Sequence, residues 1–249
     1  MSQARRLRTL LSWLCAFVLC GPAAAPARDA TVTAQADLLT ESRAQSQKNK
    51  RNIVLWLTPL DDMPGLRSAA SSPPASPRPR LMQKDKRFDP HMLVIPVGTA
   101  VEFPNRDPFF HNVFSLFEGK RFDLGLYEAG TSRVVHFDRP GVSYIFCNIH
   151  PEMSAVVIAL KTSYYAVSDS AGKITIANVP AGRYLVQVWA EGASADNLKT
   201  LSREVTISGS EHSLGVFRVV EDSPPAKHKN KYGREYDASG SDYPATEQK

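Results

Sequence analysis

Within seven residues, Cys147-Asn-Ile-His150-Pro-Glu-Met153 offers a thiol, an imidazole and a thioether. These are soft and borderline donors of the kind that copper takes. A second imidazole is needed, and His111 is the candidate, in the loop Pro104-Asn-Arg-Asp-Pro-Phe-Phe-His111 that runs into Asn112-Val113. Two loops at the same end of a β-sandwich can bring His111 beside Cys147. Two His and one Cys with a weak Met is the donor set of a blue-copper centre. Thiolate and imidazole also bind zinc. Zinc and a metal-free site therefore stand as the alternatives. His91 and His136 lie in strand contexts and read as packed or surface residues, while His212 and His228 fall outside this region. Asn105 and Asn112 are candidates to hold the ligand loops by hydrogen bonds, with ordinary turn chemistry as the other reading.

The elements that must position these residues are strands. Met92–Val97 and Thr99–Phe103 flank the turn residue Gly98, and Asn112–Phe117, Arg133–Phe137, Val142–Phe146 and Ala155–Leu160 follow. Each is rich in β-branched or aromatic residues and bounded by Gly, Pro, Asn or Asp. Strands this short and this frequent predict a sandwich or Greek-key barrel. No helical period is sustained outside the N-terminal segment. Residues 81-161 thus form one candidate domain, preceded by the Pro/Ser-rich loop 61-80, which includes Ser71-Ser-Pro-Pro-Ala-Ser-Pro77 and cannot build a core element.

This stretch resembles the cupredoxins, especially the plastocyanin and pseudoazurin type. Gly98-Thr-Ala-Val-Glu-Phe-Pro-Asn105 is similar to the strand that precedes their first His, His111-Asn-Val113 to their His-Asn-Val segment, and Tyr144 to His150 to their Tyr-x-Phe/Tyr-Cys-x-x-His run. The three motifs come in the family's order and span about 75 residues. The resemblance implies a Greek-key β-sandwich, with His111, Cys147 and His150 as strong equatorial copper ligands and Met153 as the axial one. One departure concerns Met153. Plastocyanin-like proteins have four residues between the second His and the Met, and here only Pro151 and Glu152 intervene. The shorter loop either draws Met153 closer or gives its place to Glu152 or water. The same spacing occurs in the binuclear copper centre of oxidase subunits, but that centre needs two Cys and only Cys147 is available.

Residues 162-220 resemble a second family. Ser168-Asp-Ser-Ala-Gly172, Lys173-Ile-Thr-Ile-Ala177, Asn178-Val-Pro-Ala-Gly182 and Arg183-Tyr184 are similar to the regulatory β-sandwich repeat of carboxypeptidases, which implies a scaffold and no peptidase activity. That sandwich begins with two strands ahead of the motif, and residues 31-60 hold two strand-like patches, Thr31–Ala34 and Asn52–Thr58. The expected fold class is therefore all-β. The cupredoxin would be inserted in a second small sandwich, with the chain leaving near Leu60 and returning near Lys161. Two consecutive domains with an irregular N-terminal arm are the alternative. Residues 221-249 are polar, and a disordered tail is expected there.

The first residues decide the compartment. Arg5, Arg6 and Arg8 precede the apolar run Leu10–Leu19, then Gly21-Pro22 and Ala23-Ala-Ala25. A basic region, a short apolar run and small residues make residues 1-25 a secretory signal peptide, cleaved near Ala25 or as late as Ala30. The run is too short to span a membrane comfortably. Leu14 and Leu19 precede Cys15 and Cys20, where a lipoprotein signal needs a small residue. The mature chain would then keep one Cys, Cys147, in an oxidising compartment, where a thiol must be buried or ligated. Three Cys in 249 residues exclude a disulfide scaffold. The net charge of +5 owes three charges to those Arg, which leaves too weak a bias to indicate nucleic acid. The expected protein is exported, periplasmic or secreted, without membrane insertion after cleavage. It would hold one copper ion per chain and pass electrons to a redox partner protein. Copper binding, storage or sensing without redox turnover is the alternative. An enzyme is not expected, because a single saturated site leaves no position for substrate.

Overall fold

Alternation along the strands divides this chain into two packed bodies. In Lys173–Val179 and Gly182–Trp189 the residues Ile174, Ile176, Val179, Tyr184, Val186 and Val188 are buried while their neighbours face outward, as a half-buried sheet requires. The computed structural model describes residues 29–40, 52–61, 77–116, 118–222 and 228–236. The signal segment and much of the Pro/Ser-rich loop lie outside them. In chain order the strands are β1 (Ala30–Thr40), β2 (Val54–Pro59), β3 (Met82–Lys84), β4 (Arg87–Asp89), β5 (Met92–Pro96), β6 (Thr99–Pro104), β7 (His111–Ser115), β8 (Phe122–Tyr127) and β9 (Ser132–Phe137). They continue with β10 (Gly141–Cys147), β11 (Ser154–Leu160), β12 (Tyr165–Val167), β13 (Lys173–Val179), β14 (Gly182–Trp189), β15 (Arg203–Ile207) and β16 (Glu211–Glu221), with helix α1 (Ala195–Leu201) before β15. The fold is an all-β sandwich.

The N-terminal strands pair with the C-terminal ones. β2 lies between β12 and β14, with Trp56 opposite both Tyr165 and Gln187. β1 lies between β13 and β16, antiparallel to the first and parallel to the second. These two sheets enclose a core that includes Val32, Ala36, Leu55, Leu57, Ile176, Tyr184 and Phe217. The run around Ile53–Leu57 thus hydrogen-bonds to the Tyr184–Trp189 strand, and the chain between β2 and β12 forms the second body. The turn motifs hold this first body by side-chain bonds. Asp169 Oδ1 accepts from the N–H groups of Ala171 and Lys173, and the Tyr184 hydroxyl donates to the Pro180 carbonyl at 2.8 Å.

The second body packs the sheet β5-β11-β10-β7-β8 on the ribbon β6-β9. Its core includes Val101, Phe103, Val113, Phe137, Ile145, Cys147, Met153 and Val157. β11 is buried on both faces. Ala155, Val157 and Ala159 enter this core, while Val156, Ile158 and Leu160 meet Val54 and Trp189 of the first body. Such two-sided burial explains its unbroken apolar sequence.

Several elements differ from the expectations above. β8 and the β3–β4 hairpin were not expected, because Phe122–Tyr127 is interrupted by Asp123 and Gly125 and the hairpin strands have three residues each. The end of the Pro-rich loop is not free: Glu102 donates its N–H to the Pro79 carbonyl, and Leu81 donates to that of Glu102. Helix α1 spans seven residues, too short to show a period, and Ser194 caps it. The tail expected over 221-249 is corrected in part, residues 223–227 and 237–249 lying outside the described residues. Residues 228–236 are not disordered but fold onto the second body, where Lys231 pairs with Asp123 at 2.8 Å and Tyr236 bonds to Cys147. A polar composition hid this, since the contacts are hydrogen bonds and ring stacks rather than apolar burial.

Candidate metal centre

Antiparallel pairing sets Cys147 of β10 opposite Val113 of β7, and Asn148 N–H donates to the Asn112 carbonyl at 2.8 Å. The start of β7 therefore lies beside the end of β10, and His111 comes next to Cys147. Beyond Cys147 the chain turns back on itself. Met153 N–H donates to the His150 carbonyl at 3.1 Å, and Cys147 N–H to the Met153 carbonyl at 3.3 Å. That closed loop returns the His150 ring to the cysteine.

The result is a tight triangle of donor atoms. Cys147 Sγ lies 3.6 Å from His111 Nδ1 and 3.6 Å from His150 Nδ1, and the two Nδ1 atoms are 3.2 Å apart. A point equidistant from the corners of such a triangle is about 2.0 Å from each. Imidazole nitrogen binds a first-row ion such as zinc at about 2.0–2.1 Å and thiolate at about 2.3 Å. His111, Cys147 and His150 would therefore hold one such ion with little rearrangement, close to these lengths. Among the described residues this is the group of His, Cys and acidic side chains with converging donor atoms.

Asp107 organises the triangle. Its Oδ2 accepts from His111 Nε2 at 2.9 Å, and both side chains are buried. With the Nε2 proton committed to the carboxylate, His111 Nδ1 keeps its lone pair and faces Cys147. The same carboxylate accepts from the N–H groups of Asp85 and Lys86, at 2.6 and 3.1 Å, which fixes the β3–β4 turn above it. Asn105 Oδ1 in turn accepts from Asp107 N–H, while Asn105 Nδ2 donates to the Phe109 carbonyl at 2.8 Å. The Phe109 ring packs on both imidazoles, with centroids 5.4 Å from His111 and 5.3 Å from His150.

Electrostatics favours neutral donors. Burial lowers the pKa of His111 against the opposing pull of Asp107, and burial and then the neighbouring His111 lower that of His150. Burial pushes the Cys147 thiol up. Both imidazoles therefore have lone pairs available, and the thiol holds its proton until a strong Lewis acid displaces it.

His111, Cys147 and His150 are brought together. Met153 is fully buried in the core that holds Cys147, and its main chain closes the ligand loop. The other histidines stay apart from the triangle. His91 bonds to Glu191 and to the Ser154 carbonyl, and His136 is exposed. His228 was expected to lie outside the region, but it stacks on Phe146 with centroids 4.1 Å apart. Asn105 braces the loop as described, and Asn112 Nδ2 donates to Asp123 at 3.1 Å. Sequence reasoning missed Asp107. A signal was present, since it is the acid between Pro104 and His111 and lies four residues before the ligand candidate.

The chain matches no protein-family model and no curated protein. Among solved structures it is similar to a purple cupredoxin from Nitrosopumilus maritimus, at 26% identity over 33% of this chain and 99% of that one, with a TM-score of 0.30. It is similar to a reduced amicyanin variant at 19% identity, over 37% and 89% of the two chains, with a TM-score of 0.32. It is also similar to a Cu-containing nitrite reductase from Thermus scotoductus, at 22% identity over 50% of this chain and 28% of that one, with a TM-score of 0.33. No helix among the described residues is long and apolar enough to cross a membrane.

Proposed function

We propose that this chain is an exported mononuclear copper protein that carries electrons between partner proteins. His111 Nδ1, Cys147 Sγ and His150 Nδ1 would hold one ion per chain, with Met153 as the axial donor. The observation that carries this reading is the triangle of two imidazole nitrogens and one thiol, with edges of 3.2 to 3.6 Å, its His111 and Cys147 corners buried. Two nitrogens with a single sulfur is a donor set suited to copper. Copper supplies a one-electron couple when bound.

The residues of the chain do the rest. Asp107 fixes the tautomer and orientation of His111, so the site keeps its geometry when charge changes. Phe109 packs on both imidazoles. His150 is only partly buried and is followed by exposed Pro151, so its ring edge is the point of approach for a redox partner. Cys147 leads inward through β10. The pairing of β1 and β2 with the C-terminal strands supports the inserted arrangement. We read the first body as a regulatory-like sandwich that serves as a docking scaffold. The N-terminal segment supports export to the periplasm or beyond, and we read the chain as a carrier rather than an enzyme.

Reconstitution with Cu(II) tests this. One equivalent per chain, a thiolate-to-copper absorption band and its loss in Cys147→Ala are expected. Stoichiometric zinc binding with no such band on copper addition would overturn the electron-carrier reading. A reversible midpoint potential with fast self-exchange is the further expectation, and rapid loss of copper to a chelator would favour storage or delivery instead.

A further inference from the structure

Residues 228–236 form a strap across the back of the cysteine loop. The Tyr236 hydroxyl lies 2.7 Å from the Cys147 carbonyl, and His228 Nδ1 lies 3.1 Å from the same hydroxyl oxygen. A phenol has one proton. It goes to the carbonyl at the shorter distance, so His228 Nδ1–H donates to the phenol. The chain of bonds runs from His228 to Tyr236 to Cys147, and each polarises the next. The His228 ring stacks on Phe146, the residue before the cysteine, at an interplanar angle of 23°. Lys231 N–H donates at 2.9 Å to the side chain of Asn148, the residue after it. Lys231 Nζ reaches Asp123, which also accepts from Asn112 beside His111. The strap thus grips three consecutive residues of the cysteine loop and, through Asp123, the strand of the other ligand.

Its own shape is fixed locally. Asn230 Oδ1 accepts from the N–H groups of Tyr232 and Arg234, and its main chain pairs with Arg234. A segment that makes its own turn pays less entropy to stay docked.

We propose that Tyr236 is a positioning residue for the metal centre, acting through the main chain of Cys147 and holding the thiol in place in the metal-free as well as the metal-bound protein. The first part of this stands on the fold alone, and the metal-bound part rests on the copper reading. Losing one hydrogen bond of ordinary net worth raises the open population of the loop about fivefold. Iodoacetamide alkylation of metal-free protein, followed at Cys147 by peptide mass spectrometry, should therefore be about fivefold faster in Tyr236→Phe. Tyr232→Phe is the control, because Tyr232 sits in the same strap but is 71% exposed and its ring faces Lys231 rather than the cysteine loop. It should alkylate at the parent rate. In copper-loaded protein, Tyr236→Phe should shift the thiolate-to-copper band and speed copper loss to a chelator about fivefold. Far-UV circular dichroism verifies that each variant is folded. Equal alkylation rates in Tyr236→Phe and the parent overturn the proposal. Faster alkylation in a protein that shows no copper–thiolate band upholds the strap and overturns the copper reading instead.

Discussion

Asp107→Asn changes one atom of the metal centre's support and leaves its shape. The carboxylate accepts three bonds, from His111 Nε2 at 2.9 Å and from the N–H groups of Asp85 and Lys86 at 2.6 and 3.1 Å. An amide has one acceptor oxygen and one donor nitrogen. If the nitrogen takes the place of Oδ2, its N–H groups meet the His111 Nε2 proton. The imidazole then escapes by moving its proton to Nδ1, the atom that faces Cys147. If the nitrogen takes the place of Oδ1, it meets the Asp85 N–H at 2.6 Å and pushes the β3–β4 turn away. Either flip loses a charge-assisted bond, worth about 1.5–3 kcal/mol of folding stability. Loss of the histidine's support typically lowers metal affinity 10–100-fold, about 1.4–2.7 kcal/mol. Competition with a chelator of known copper affinity measures the second effect, and urea unfolding of the metal-free protein measures the first. Parent-like copper affinity and an unchanged spectrum in a folded Asp107→Asn variant would refute the claim that this carboxylate sets the tautomer.

Two further outcomes follow from named contacts. Met153→Leu should raise the reduction potential by removing a donor, and Met153→Gln should lower it because a harder oxygen favours Cu(II); voltammetry reads both, and identical potentials and spectra would leave Met153 as core packing alone. His91 has acceptors at both ring nitrogens, the Ser154 carbonyl at 3.1 Å and Glu191 at 2.8 Å, and the bond to Glu191 holds its pKa above the ordinary value. The stability it contributes is complete below about pH 6.5, the unfolded value, and is lost as pH rises through the raised folded value. His91 is well exposed, so the contribution is under about 1 kcal/mol; the fall in urea midpoint between pH 5.5 and pH 8.5 should shrink in His91→Gln, and an identical fall would refute the pairing.

The three converging donors were legible because each is a rare residue type in a strand-flanking motif. Cys147 and His150 share one short run, and His111 follows a strand pattern of the same family resemblance. The pairing of β2 with the C-terminal strands was legible through the resemblance of residues 162-220 to a sandwich that opens with two strands, for which residues 31-60 held two strand-like patches. Asp107 was harder to read because an acid in a Pro-rich loop has the same composition as any solvated turn. What makes it functional is a bond to a ring nitrogen, which depends on the loop's path. The strap was illegible for a related reason. Lys231 and Tyr236 work through one ion pair and two hydrogen bonds to groups more than eighty residues away in the sequence, and hydrophobic periodicity carries no trace of such contacts. Gly119 was not singled out either, yet at φ +80° a Cβ there would lie 2.5 Å from Ser143 Oγ, so the approach of this loop to β10 needs a residue without a side chain.

The parallel pairing of β1 with β16 has a mechanical consequence. The ladder runs from Thr31 opposite Glu211 to Thr40 opposite Glu221, so the chain enters at one end of it and leaves at the other. Tension applied to the two ends of the polypeptide loads these rungs in shear, all at once, instead of unzipping them one by one. The body that carries the donor triangle hangs between β2 and β12, adjacent antiparallel strands, and lies off that line of force. The strap lies on it, beyond β16. Among the described residues, a pull from beyond Tyr236 would load its bond to Cys147 before it reached the β1–β16 ladder, so the cysteine loop would respond while both sandwiches are still intact.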